Sequence, residues 1–250
     1  MPGQQEVQIK VFIVRIGVVA IRFNHIKMDL QAQADAFRAQ KPGEDVDPSW
    51  DLLTGMKLPK AFETEFAHPQ APVFTHMNDN GFPNLYEDNK MVVYLNNALP
   101  YLNAYPGNEG RAAMSFMHLL VAPRERIYNI KTMRGESDRA LLKYMKDVVD
   151  LAFMLPAFRR RVQYALSNQN FLQAPFSVLT QENRDAYHES KELFQQARSK
   201  DLSYWFHEHP NHSVGHLHMH VLLDTALTPA FKIHEHENVP FETALAQIME

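Results

Sequence analysis

Residues 206–223 read FHEHPNHSVGHLHMHVLL, and the fold is inferred outward from this segment. In a β-strand, residues two positions apart point to the same face. His216, His218 and His220 alternate with apolar residues and are therefore expected to line one face of a strand. Buried imidazoles need hydrogen-bond partners, so three of them on one face are costly in a purely structural strand. The pattern predicts a strand over 216–223 that carries a functional site.

Two kinds of chemistry fit this histidine cluster. One is a metal site, since zinc is bound by three histidines and a water in some catalytic sites. Alternate residues of a strand are about 6.6 Å apart, so two of the three histidines are expected to share an ion with ligands from elsewhere. The outside candidates are His207, Glu208, His209 and the segment His234-Glu235-His236. The other is covalent catalysis, in which an imidazole with one nitrogen fixed by a hydrogen bond attacks phosphorus through the other.

The composition of the 250-residue chain excludes several classes of protein. A hydrophobic content of 45% and a charged content of 22% are typical of soluble globular chains. The absence of cysteine excludes a disulfide framework and a cysteine nucleophile, and it fits a reducing compartment such as the cytoplasm or the nucleus. Neither GxGxxG nor GxxxxGK occurs, which argues against dinucleotide-binding and P-loop folds. The net charge of −4 makes nucleic acid an unexpected partner.

The order of the predicted elements favours an α+β fold, with an antiparallel sheet and helices on one side of it. Three basic residues interrupt the apolar stretch 7–23, which argues against a membrane span. The alternating apolar residues of the stretch predict strands. Other strands are predicted over 91–95, 114–121 and 202–206. Helices are predicted over 28–40, 59–66, 137–155, 158–166 and 182–200, with a last short one from Pro240.

The histidine motif resembles the H-φ-H-φ-H-φ-φ signature, where φ is apolar, of the histidine triad (HIT) superfamily of nucleotide hydrolases and transferases. Residues 206–218, with the pattern FHxxPxxSVxHLH, are similar to the Hint branch and, in their F-H-x-x-P part, to aprataxin-like members. Residues 86–94 (YEDNKMVVY) are similar to the family's strand–turn–strand segment. Residues 118–127 (HLLVAPRERI) are similar to its H-x-L-V-x-P-K-x-H-I strand.

The resemblance implies an enzyme that cleaves at the α-phosphate of a nucleoside phosphoramidate, a dinucleoside polyphosphate or a related nucleotide conjugate. His218 would attack phosphorus, and water would hydrolyse the nucleotidyl-histidine intermediate. His216 would hold the attacking ring in register, and His220 would contact the phosphate oxygens. Ser213 would form a hydrogen bond at the phosphate or the leaving group. No cofactor or metal is implied, although Mg²⁺ would accompany a polyphosphate substrate.

The resemblance also implies a set of substrate-binding residues that departs from the family pattern. His212 stands where many members carry glutamine, at the leaving group. Arg126 replaces a histidine, so it binds phosphate but shuttles no proton. Asn96 replaces an aspartate that grips the ribose hydroxyls, and the charged grip is lost. His207 either lines the site or lies on the surface, and Phe74 either contacts the base or packs in the core.

The similar blocks cover roughly residues 84–224 and leave both ends outside. We therefore expect an N-terminal extension over 1–72, a HIT-like catalytic domain over 73–232 with a helical insertion near 156–200, and a tail over 233–250. The extensions are candidates for a lid, an oligomer contact or a partner surface. Family members are often homodimers. The alternative functions are a nucleotide-binding HIT-fold module with weak catalysis that holds a partner, and a histidine-rich metal site.

Overall fold

The computed structural model describes residues 30–39, 83–125, 127, 129–169, 174–207 and 216–248. The chain divides into two compact units, Met1–Gln70 and Ala71–Glu250. The described part of the first unit is helix α1 (Leu30–Ala39), which confirms most of the helix predicted over 28–40. The elements predicted over 7–23 and 59–66 lie outside the described residues.

The second unit contains a six-stranded antiparallel sheet, as an α+β fold requires. Its strands are β1 (Asn84–Glu87), β2 (Met91–Leu95), β3 (His118–Pro123), β4 (Leu202–His207), β5 (Met219–Leu223) and β6 (Asn238–Pro240). Their spatial order is β1-β2-β3-β5-β4-β6, so β3, β5 and β4 lie side by side in the sheet. This adjacency brings histidines from three strands together.

The helices of the second unit follow the predicted order. They are α2 (Gly135–Met154), α3 (Pro156–Ser167), α4 (Gln181–Gln196), α5 (Pro229–Ile233) and α6 (Phe241–Gln247). Across the described part of the chain, none of the helices is both long and apolar enough to cross a membrane.

The β1–β2 turn shows how the sequence folds locally. The Oδ1 atom of Asp88 accepts backbone N–H bonds from Lys90 at 2.7 Å and from Met91 at 2.9 Å, which closes the turn. All five residues of β2 are buried, as expected for a continuous apolar run on a central strand. The turn and the strand predicted over 91–95 are confirmed.

One face of the sheet packs against the helices and forms the main core. Alternate strand residues such as Leu119, Val121, Met219 and Val221 point to this face, because side chains of a strand alternate between faces. The helices contribute Leu142, Met145, Val149, Phe153, Phe158, Val162, Phe194, Phe241 and Ala244. The intervening residues of the strands point to the opposite face, which leaves that face for the histidines.

Two predicted strands begin later than expected. The strand predicted from His216 begins at Met219, because the backbone N–H of Leu217 before it donates to Ile127, which lies beyond the end of β3. The strand predicted from Met114 begins at His118. Before it, the hydroxyl of Ser115 donates to the carbonyl oxygens of Leu223 and Ala226, which holds this segment outside the regular ladder.

The first long helix, predicted to begin at Ser137, begins two residues earlier. Gly135 has a φ of 70°, a left-handed conformation that glycine tolerates. The carboxylate of Asp138 accepts the backbone N–H of Arg134 at 2.6 Å, so it satisfies one of the free donors at this helix end. The side chain of Asp138 therefore caps the N-terminus of α2.

The predicted helical insertion near 156–200 and the predicted tail over 233–250 both pack onto the sheet of the second unit. Phe158 and Phe194 lie in the same core as the sheet. The short strand β6 pairs with β4, and Phe206 lies opposite Val239. The residues assigned to a tail therefore complete one edge of the sheet.

Replacing Leu142 of α2 by alanine is expected to lower the free energy of unfolding by about 2–5 kcal/mol, because its side chain is fully buried in the core. The same replacement at Leu151, which is 69% exposed on the same helix, is expected to change it by no more than about 0.5 kcal/mol. Urea unfolding followed by circular dichroism measures both values. Equal losses at the two positions would contradict the packing of α2.

Candidate functional site

The site is built around the ring of His220, which lies on β5 between β3 and β4. In the sheet, His220 stands opposite Leu120 on one side and opposite Trp205 on the other. Its ring centroid lies 4.2 Å from that of His207, 4.8 Å from that of His218 and 5.1 Å from that of His118, so four imidazoles form one cluster.

His218 presents one ring nitrogen as a free base. Its Nδ1 lies 2.8 Å from the carbonyl oxygen of His216. A carbonyl only accepts, so Nδ1 carries the hydrogen of the neutral ring, and the lone pair is on Nε2. Burial lowers the pKa of His218, which keeps the ring neutral near pH 7. The ring therefore has the form that a nucleophilic imidazole requires.

His216 serves this arrangement through its backbone. Its Nε2 lies 3.0 Å from the carbonyl oxygen of Pro123 at the end of β3, so the side chain points to the neighbouring strand. The next residue, Leu217, donates its backbone N–H to the carbonyl oxygen of Ile127 at 2.6 Å. These two bonds anchor the segment before β5 and so fix the carbonyl that holds His218.

A fourth imidazole, that of His118, belongs to the cluster and was not among the predicted site residues. Its Nε2 lies 2.8 Å from Nδ1 of His220. Burial lowers the pKa of His118 to about 3 and that of His220 well below the usual value, and the neighbouring imidazoles add to both shifts. His118 stands first in the segment quoted as similar to a family strand, and that position was the signal that could have found it.

The Nε2 atom of His220 is a second open position of this network, beside Nε2 of His218. It is buried, and it has no hydrogen-bond partner among the described residues. A buried polar nitrogen without a partner is costly, and such groups are uncommon in folded proteins. A ligand oxygen would satisfy it.

His207 lies at the end of β4, against His220. Its Nε2 lies 2.9 Å from Oδ1 of Asn238, and burial lowers its pKa to about 3. The sequence left open whether His207 lines the site or lies on the surface. In the structure its ring lies against that of His220, within the imidazole cluster.

A candidate cation site adjoins the cluster at His207. His207, His234 and Glu237 offer ligand atoms that all lie within 4.8 Å of one another. Both ring nitrogens of His234 face oxygen acceptors, however: Oε2 of Glu237 at 2.8 Å and the carbonyl oxygen of Gly110 at 2.6 Å. A metal ligand needs a lone pair, so ion binding by His234 requires the loss of one of these bonds.

The remaining predicted site residues fall into two groups. Asn96 lies beside His118, with its amide nitrogen 2.9 Å from Nδ1 of that ring. Four others lie outside the described residues, namely Phe74, Arg126, His212 and Ser213. The metal-ligand candidates Glu208 and His209 also lie outside them.

Comparison of the sequence with models of known protein families finds no match, and a search of curated proteins finds no similar sequence. The similarity to the histidine triad superfamily rests on the motif residues quoted above.

The free energy of unfolding is expected to fall as the pH is lowered from about 6.5 to 4. The unfolded imidazoles bind protons in this range, whereas the folded rings of His118 and His207, with pKa values of about 3, do not. Each such ring contributes a slope of up to about 1.4 kcal/mol per pH unit. Urea unfolding at several pH values measures the slope, and a stability that does not change over this range would contradict the burial of neutral rings.

Proposed function

We propose that this protein has a HIT-like fold and is a nucleotide hydrolase or transferase that acts at an α-phosphate, with Nε2 of His218 as the nucleophile. The substrate is a nucleoside phosphoramidate or a related nucleotide conjugate. The phosphorus target and the nucleotide come from the sequence resemblance. The support from the geometry concerns the state of the imidazoles.

The observation that carries the proposal is the 2.8 Å bond between Nδ1 of His218 and the carbonyl oxygen of His216. It directs the lone pair of the neutral ring to Nε2. Attack by Nε2 leaves a positive charge on the ring, and the same carbonyl oxygen stabilises that charge through the Nδ1–H bond. One contact therefore orients the nucleophile and stabilises the intermediate.

His220 supports the same chemistry from the adjacent position. Its buried Nε2 has no partner among the described residues, and its ring lies 4.8 Å from that of His218. An N–H donor beside the nucleophile would bond a phosphate oxygen as negative charge develops on it.

The reaction proceeds in two displacements at phosphorus. In the first, a bond forms between phosphorus and Nε2 of His218 while the bond to the leaving group breaks, and the amine of a phosphoramidate takes up a proton. In the second, the oxygen of water bonds to phosphorus, the bond to Nε2 breaks, and the water loses a proton. The nucleoside monophosphate is released, and the ring returns to its neutral form.

Replacing His218 by glutamine is expected to abolish formation of the covalent intermediate and to lower turnover by roughly 10⁴-fold or more, because the nucleophile is lost. The measurement is intact-mass spectrometry after an acid-free quench with adenosine 5′-phosphoramidate, together with release of AMP. The wild-type protein is expected to gain the mass of one AMP moiety.

A matched control is His188→Gln, which removes an exposed ring of α4 outside the imidazole cluster. It is expected to keep both the adduct and the turnover. Undiminished AMP release by a folded His218→Gln protein would exclude the proposed nucleophile. Nucleotide binding by the wild type without an adduct or AMP would favour the alternative function, a binding module.

A further inference from the structure

We propose that Asn96 is a positioning residue that sets the hydrogen positions of His118 and, through it, of His220. This differs from the ribose contact that the family resemblance implies for the residue. The assignment of hydrogen positions stands on the contacts alone, whereas its effect on turnover rests on the proposed function.

The orientation of the Asn96 amide is fixed by a backbone donor. The N–H of Ala98 donates to Oδ1 of Asn96 at 2.9 Å, so the oxygen must be on that side. The amide nitrogen then faces Nδ1 of His118 at 2.9 Å. An amide nitrogen only donates, so Nδ1 of His118 is the acceptor.

The turn that carries Asn96 is held from two directions. The backbone N–H of Asn96 donates to the carbonyl oxygen of His118 at 2.8 Å, which ties the turn to β3. The amide nitrogen of the buried Gln169 donates to the carbonyl oxygens of Asn96 and Ala98, each at 2.8 Å. The donor therefore has a fixed position relative to the ring of His118.

A second donor points to the same nitrogen of His118. The backbone N–H of Met114 lies 3.3 Å from Nδ1. With two donors directed at Nδ1, the hydrogen of a neutral His118 is on Nε2. Burial lowers the pKa of His118 to about 3, so the ring is neutral near pH 7.

The hydrogen on His118 determines the one on His220. Nε2 of His118 donates to Nδ1 of His220 at 2.8 Å, so Nδ1 of His220 is an acceptor. The hydrogen of a neutral His220 is then on Nε2, the buried atom without a partner among the described residues. The chain of hydrogen-bond donors therefore runs from Asn96 through His118 to Nε2 of His220.

An aspartate at position 96 would reverse this chain. A carboxylate only accepts, so it would draw a hydrogen to Nδ1 of His118. Burial favours the neutral ring, so Nε2 of His118 would lose its hydrogen and would accept from Nδ1 of His220. His220 would then present a lone pair at Nε2, which repels a phosphate oxygen. The ribose-binding role predicts the opposite effect, since aspartate would strengthen the grip on the sugar.

The first test is nitrogen-15 NMR of the imidazole rings in the wild-type protein, with the signals assigned by His118→Gln and His220→Gln variants. This measurement distinguishes a nitrogen that carries hydrogen from one with a lone pair. Hydrogen on Nε2 of both rings is the expected result. Hydrogen on Nδ1 of His118 in the wild type would overturn the proposal without any variant of Asn96.

The second test is the same spectrum of Asn96→Asp, with Asn97→Asp as the control because it adds the same charge at the exposed neighbouring residue. In Asn96→Asp, Nε2 of His220 is expected to lose its hydrogen, and in Asn97→Asp it is expected to keep it. Hydrogen that remains on Nε2 of His220 in a folded Asn96→Asp protein would overturn the proposal.

Kinetics with adenosine 5′-phosphoramidate separate the two roles of Asn96. A loss of about 10²-fold in kcat, without a lower KM, is expected for Asn96→Asp, as for removal of one oxyanion donor. An unchanged kcat with a lower KM would establish the ribose contact instead. If the wild type releases no AMP, the proposed function fails, and the NMR spectra still decide the role of Asn96.

Discussion

A neutral imidazole has one N–H and one nitrogen lone pair, and the arrangement of the whole site depends on which nitrogen carries which. Burial lowers the pKa of His118, His207, His218 and His220, which keeps these rings uncharged near neutral pH. Once a ring is neutral, a partner that fixes one nitrogen also fixes the other. The carbonyl oxygen of His216 does this for His218. The cluster thus offers a lone pair and an N–H side by side without any charge.

The sheet makes this arrangement possible because it separates packing from chemistry. Met219 and Val221 of β5 point to the helices and lie in the main core. His220, between them, must therefore point to the other face, where its neighbours come from β3 and β4. A shift of β5 by one residue would turn its histidines into the apolar core and its apolar residues to the opposite face. The hydrophobic core consequently holds the register on which the imidazole contacts depend.

The local features of the fold could be predicted from the sequence, and the long-range contacts could not. The apolar run of β2, the apolar stripe of α2 and the strand β4 follow from composition and periodicity. The bond between His118 and His220 joins residues 102 positions apart, and that between His216 and Pro123 joins residues 93 apart. Such pairs depend on which strands are neighbours, and the order β3-β5-β4 is not encoded in any one segment. The start of β5 was predicted too early because the segment before it bonds to Ile127, a long-range partner beyond the end of β3.

The same network links the stability of the protein to its proposed chemistry. A proton added to Nε2 of His218 would remove the lone pair that attacks phosphorus, and it would also place a charge in a buried site. A proton added to Nδ1 of His118 would oppose the donors from Asn96 and Met114. His118 would lose contacts of the folded state on binding the proton, whereas His218 would bear a charge in a buried position. Conditions that charge the imidazoles are therefore expected to weaken the fold and the nucleophile together, since the two depend on the same few hydrogens.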